Sequence, residues 1–150
     1  MNNLGTFLAT KGLTFLQFGL IAVLLLLGPI VAHRSYLLLI LQVSGMVLGI
    51  IAIFAVGLNQ FSAYPTPRNG SKLITAGPFK IIRNPMYLAV FLFTVPITLD
   101  GPSMIKAVGM VALAIVILAK ISVEERLLEK QFSEYEIYKK RSWRLIPFIY

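Results

Sequence analysis

The sequence predicts an all-α protein: a polytopic transmembrane helical bundle of about four spans, followed by a C-terminal cytoplasmic amphipathic helix. Three observations predict it. First, 57% of the 150 residues are apolar, the mean hydropathy is +0.81, and only 13% are charged. Soluble domains carry about 25% charged residues, so this chain lacks the charge to cover a water-facing surface. Second, the apolar residues collect in runs of about 20, the length that crosses a hydrocarbon core as a helix. Third, the basic residues that set the formal net charge of +8 flank these runs. A soluble globular enzyme and a disordered chain are excluded by the first observation. The absence of cysteine excludes a disulfide scaffold, thiolate catalysis and cysteine metal sites.

The spans follow in order. Leu13 to about Ala32 and Tyr36 to Leu58 contain no Asp, Glu, Lys or Arg. A cleaved leader is a poor reading of the first, because only Lys11 precedes its core and no small-x-small site follows it. Pro85 to Leu99 is shorter and runs into Asp100-Gly101-Pro102, a strong turn signal. Ser103 to Val123 is long enough to span, with Lys106 and Lys120 near its ends, where they would snorkel to the interface. These last two spans read as a helical hairpin whose first arm is short or tilted. Gly45 and Gly49 form one Gly-x-x-x-Gly, which suits intrachain packing as well as dimerisation, so the oligomeric state is not legible.

Charge placement sets the orientation. With the N-terminus inside, the loop around Arg34 and the turn at Asp100 lie outside. The connector 59–84 and the tail 124–150 then share the cytoplasmic face, which holds ten of the 14 basic residues. The charge is thus a topology signal rather than a nucleic-acid footprint, and both termini are expected on the cytoplasmic side. In the tail, Leu128, Phe132, Tyr135 and Tyr138 recur at helical spacing and Glu136–Lys140 is a favourable i,i+4 pair. One amphipathic helix is expected to continue out of the fourth span and end before Trp143–Pro147. The whole chain reads as one domain.

Nucleotide-binding glycine motifs, zinc-ligand spacings and a nucleophile elbow are missing. The single histidine, His33, falls in the outer loop and reads as solvated; no metal site is expected. What remains is a polar set on the cytoplasmic side. Gly77-Pro78 makes a turn, Asn84 falls at an N-cap position, and Pro85 suits a first helical turn. Glu124-Glu125 stands where the fourth span leaves the bilayer, and Trp143-Arg144-Leu145-Ile146-Pro147 reads as an interfacial anchor. Each feature alone is ordinary. Their sharing of one membrane face makes a joint site.

Three blocks in order, Gly77-Pro78-Phe79-Lys80-x-x-Arg83-Asn84-Pro85-Met86-Tyr87-Leu88, Glu124-Glu125-x-x-Leu128-x-x-x-Phe132-x-x-Tyr135-x-x-Tyr138 and Arg144-x-x-Pro147, resemble one superfamily. It is that of the isoprenylcysteine carboxyl methyltransferases and phospholipid N-methyltransferases. Tyr64-Pro65-x-Pro67 further resembles a prokaryotic branch, which implies a prokaryotic inner membrane as the location. The resemblance implies a membrane methyltransferase that uses S-adenosylmethionine without a Rossmann domain. Carried over, Gly77, Pro78, Arg83, Asn84, Pro85, Tyr87, Leu88 and Glu125 would line the cofactor site. Glu124, Glu125 and Arg144 would carry catalysis, and Tyr138 and Arg144 would meet the substrate head. The acceptor would be a lipid or other amphiphile. Many members have His where this chain has Asn84, which removes any titrating imidazole there. The alternative is a non-catalytic membrane protein, an assembly factor or transporter subunit, in which the same charges form a structural ion-pair cluster.

Overall fold

The computed structural model describes residues 3–57 and 73–149. Among these, the chain forms five α-helices and no strand: α1 (Asn3–Leu26), α2 (Tyr36–Val56), α3 (Pro85–Asp100), α4 (Met104–Gln131) and α5 (Tyr135–Arg141), with a 3₁₀ turn at Gly77–Lys80. The first part of the connector, including Tyr64-Pro65-x-Pro67, lies outside the described residues.

Helix boundaries follow local chemistry. α1 stops six residues short of the expected Ala32, because Gly28-Pro29 cannot continue a helix. α2 ends on Gly57 at φ +80°, whose N–H returns to Ile53 and Phe54 carbonyls. Pro85 opens α3, where its missing N–H leaves no bond unmade. Ser103 caps α4, accepting the Lys106 N–H at 3.3 Å. α4 then runs eight residues past Val123, to Gln131. The single tail helix expected there is in fact two: Phe132 turns extended, and α5 starts at Tyr135. The break lets Tyr135 turn inward to 1% exposure, which a straight continuation would forbid. Glu136 meets Lys139 (3.7 Å), and Lys139 reaches Glu129 on α4 (2.6 Å), bracing the bend.

Two helices among the described residues, α2 and α4, are long and apolar enough to cross a membrane, fewer than the four expected. The apolar parts of the other two are shorter: Thr10–Leu26 and Pro85–Asp100. Leu37, Ile40, Val47, Ile50 and Phe54 of α2 and Ile105, Val108, Val111 and Ile115 of α4 stand exposed, the surface of a helix that faces lipid rather than a soluble core. The protein is a membrane protein.

Packing pairs the helices as α2 with α3 and α1 with α4. Leu24 of α1 fills a core with Leu113, Ile117, Ile121 and Leu145, and Gly109 admits it, since a Cβ there would sit 3.3 Å from Leu24 Cδ2. The α3–α4 hairpin is tight at its turn, but each arm packs mainly on another helix. An apolar cavity of about 390 Å³ consequently lies between them, lined by Leu88, Phe91, Val95, Leu118, Leu145 and Ile146.

The lysines expected to snorkel turn inward instead. Lys106 is 2% and Lys120 3% exposed. Lys106 Nζ donates to Ile97 O (3.1 Å), a carbonyl left open by the end of α3. Gly28 makes room, since a Cβ there would sit 2.6 Å from that ammonium. At the same end Asp100 holds the α1–α2 loop: its Oδ1 accepts the backbone N–H of His33 (3.2 Å) and Arg34 (2.7 Å). His33, expected to be merely solvated, places Nδ1 3.0 Å from Asp100 Oδ2. Asp100→Ala should destabilise the α1–α2 loop by removing the acceptor of these N–H groups. Amide hydrogen exchange at residues 33 and 34 should accelerate, while His33→Ala leaves it nearly unchanged.

Candidate active site

At the opposite end of the bundle from Asp100, three segments meet. The strip before α3 runs beside the residues after α5 as a parallel bridge at Ile82 and Trp143. Trp143 N–H donates to Ile81 O and Arg83 N–H to Trp143 O, each at 2.8 Å. Tyr138 adds a hydroxyl bond to Phe79 O (2.6 Å), and burial pushes its pKa up to about 12, so it stays a donor at neutral pH. Gly77 starts the strip at φ +58°, a backbone conformation that excludes most side chains. Even a Cβ there would touch Ala55 of α2 at 3.4 Å.

Glu125, 7% exposed, stands at the centre. Its Oε1 accepts Arg83 Nε (2.9 Å) and Asn84 Nδ2 (3.3 Å), and its Oε2 accepts Arg144 Nε (2.8 Å). Each Arg is fixed again from its other end. Arg83 donates to the Lys139 carbonyl (3.1 Å) and to the Ser142 carbonyl. Arg144 donates to Ser122 Oγ (3.0 Å). Asn84 occupies the N-cap position of α3 without capping; its amide goes to Arg144 O (2.9 Å) and Glu125 instead. One carboxylate thus joins the pre-α3 strip, α4 and the tail.

Glu124 behaves differently. It is half-buried, and its Oε1 accepts the Tyr87 hydroxyl at 2.5 Å. Among the described residues no hydrogen bond reaches its Oε2. Lys120, one helical turn earlier, places Nζ 5.5 Å from the Tyr87 ring centroid and donates to Thr14 (3.1 Å) and Gln17 (3.0 Å) of α1.

The two acids therefore face different ways. Leu118 and Glu125 are seven apart on one face of α4, so the α3–α4 cavity lies beneath the Glu125–Arg144 pair. Lys120 and Glu124 share the face turned to α1 and Tyr87. Every sequence-derived site residue falls at this end: Gly77, Pro78, Arg83, Asn84, Pro85, Tyr87, Leu88, Glu124, Glu125, Tyr138 and Arg144. Missed were Lys120, Thr14, Gln17 and Ser122. A signal existed for α1: Thr10, Thr14 and Gln17 are spaced four and three apart, a polar stripe in an apolar helix, which marks an inward face.

A phospholipid methyltransferase family model matches residues 33–135. Over 98 residues, 65% of this chain and 46% of the relative, the sequence is 28% identical to the nickel-cobalt-cadmium resistance protein NccN of Alcaligenes xylosoxydans xylosoxydans. It is 29% identical to the cobalt-zinc-cadmium resistance protein CzcN of Cupriavidus metallidurans over 98 residues, 65% of this chain and 45% of that protein. The matched stretch thus spans under half the length of either relative. Among the described residues no group of three His, Cys, Asp or Glu is placed to hold a metal ion. Matching over most of its length and carrying the ordered motif blocks at one end of its bundle, the chain belongs to the phospholipid methyltransferase family of integral membrane methyltransferases.

Proposed function

We propose that this protein transfers a methyl group from S-adenosylmethionine to the polar end of a lipophilic acceptor at the cytoplasmic membrane face. The observation that carries the reading is the division of labour between the two acids. Glu125 is closed by three donors, whereas Glu124 keeps an oxygen for a ligand beside a half-buried tyrosine and a buried lysine.

The donor set fits the cofactor. An open carboxylate suits a sulfonium or ammonium group, Arg144 suits a carboxylate or phosphate, and the side-chain-free Gly77 permits close backbone approach. When bound, S-adenosylmethionine supplies an electrophilic methyl group. The residues then supply position and charge, which is most of what an in-line displacement needs. Glu124 would face positive charge at the reacting centre, or accept a proton from an amine acceptor. Tyr87 fixes its rotamer. The α3–α4 cavity, from Leu88 to Val95 about 10 Å along the helix, would take the apolar part of the acceptor, with Arg144 at its head.

The reading includes four membrane crossings with both termini inside. The apolar parts of α1 and α3 would extend only about 25 Å, short of a full core, and local thinning accommodates that. The meeting of the Arg34 loop with the Asp100 turn at one end supports an even set of crossings.

A second reading has one observation in its favour. The Glu125 cluster is satisfied as it stands, as a structural ion-pair cluster would be, and the two relatives are named for metal resistance. It makes the chain a non-catalytic membrane component. Calorimetry with S-adenosylhomocysteine on the purified protein in detergent separates the two. Saturable binding is expected for the wild type, weakened about tenfold or more in Glu124→Gln through loss of a charged partner. His33→Ala, at the far end, should bind normally. Folded protein with no saturable binding would overturn the methyltransferase reading.

A further inference from the structure

Lys120 is the most deeply buried charge on the side of α4 turned toward Glu124, and nothing in the reading above requires it. The residue is 3% exposed, and its ammonium donates to Thr14 Oγ1 and Gln17 Oε1, at 3.1 and 3.0 Å. An ammonium has three hydrogens, and α1 takes two. On the remaining side lies the face of Tyr87, 5.5 Å from Nζ to the ring centroid, and the Tyr87 hydroxyl is bonded to Glu124. Lys120 and Glu124 are one turn apart on the same helix face.

Fastening α1 to α4 does not call for a charge. Close apolar packing does that within a bilayer, as Leu24 against Gly109 already shows. Burying an ion costs several kcal/mol even after relaxation, so an ammonium here needs a use that a methyl group could not serve. Its surroundings supply one: Tyr87 is gripped at its ring by Lys120 and at its hydroxyl by Glu124, and Glu124 gains a counter-charge one turn away.

We propose that Lys120 is a positioning residue of the methyl-transfer site, anchored by Thr14 and Gln17, that holds the Tyr87–Glu124 pair and so makes the first helix part of the site. The inference rests on the methyltransferase reading. It acts through Glu124 and touches neither cofactor nor acceptor.

The test must separate positioning from mere support of the fold. Thr14→Val, Gln17→Leu and Lys120→Met together replace the buried polar group by apolar packing, an exchange that folds commonly tolerate. Lys120→Gln, which retains a donor for α1 without the charge, is a second route should the triple variant unfold. Each is measured by thermal unfolding and by S-adenosylhomocysteine calorimetry, alone and combined with Glu124→Gln. The expected result is near wild-type unfolding with binding weakened about tenfold, and no further loss when Glu124→Gln is added. Wild-type affinity in a folded, uncharged variant would overturn the role of Lys120 alone. Fully additive losses would overturn its action through Glu124. A wild type that binds nothing would remove the cofactor reading, and this inference with it.

Discussion

Glu125→Ala should release the C-terminal tail and destabilise the protein by about 3–5 kcal/mol, the usual cost of removing one partner from a buried ion pair. The side chains of Glu125, Arg83 and Arg144 are 9%, 10% and 23% exposed, so water cannot replace the lost carboxylate at each guanidinium. Arg83 would retain the carbonyls of Lys139 and Ser142, but three donors would lose their shared acceptor. The parallel bridge at Trp143 is too short to hold the tail unaided. Thermal unfolding followed by helicity should show the loss of stability. Limited trypsin digestion should then cut after Arg144 faster than in the wild type, where the residue is held by Glu125 and Ser122. Glu124→Gln, adjacent in sequence but outside the cluster, should leave the tail docked.

Gly45→Leu should force α2 away from α3. A Cβ at Gly45 would lie 2.8 Å from Leu92 Cβ, 2.9 Å from Ala89 O and 2.9 Å from Phe93 N. Two of these are backbone atoms that cannot swing aside. Even Gly45→Ala should cost about 1–3 kcal/mol by overpacking, and the longer leucine more. Gly49→Ala is the control, since its Cβ would meet Ala89 Cβ at 3.4 Å, ordinary contact. Melting temperatures of the three variants check the order. The Gly-x-x-x-Gly seam, open in the sequence between dimer and intrachain use, is taken up by α3 within the chain.

How much of this was legible depends on which interactions are local. Helix α2, the Asp100-Gly101-Pro102 turn and the Pro85 start are written in runs and breakers a few residues long, and they came out nearly at their observed bounds. The grouping of Arg83, Glu125 and Arg144 at one end followed from charge placement. Partnership did not. That Asn84 would abandon its cap for Glu125, or that Lys106 and Lys120 would turn inward, depends on carbonyls and hydroxyls supplied by distant helices. A lysine near a span end reads the same whether it snorkels or is buried. The tail failed for a related reason: helical spacing persists from Leu128 to Tyr138, and only burial of Tyr135 shows why the chain breaks at Phe132.

The bridge between Ile82 and Trp143 also bears on the order in which the protein is made. Helices α1 to α4 are all synthesised before residues 142–145 have left the ribosome. Until they do, Arg83 has only part of its cage and Glu125 lacks Arg144. Synthesis of these helices and closure of the cluster are therefore separate events in biosynthesis. A nascent chain has no closed Glu125 cluster until residues 142–145 fold back against the strip before α3.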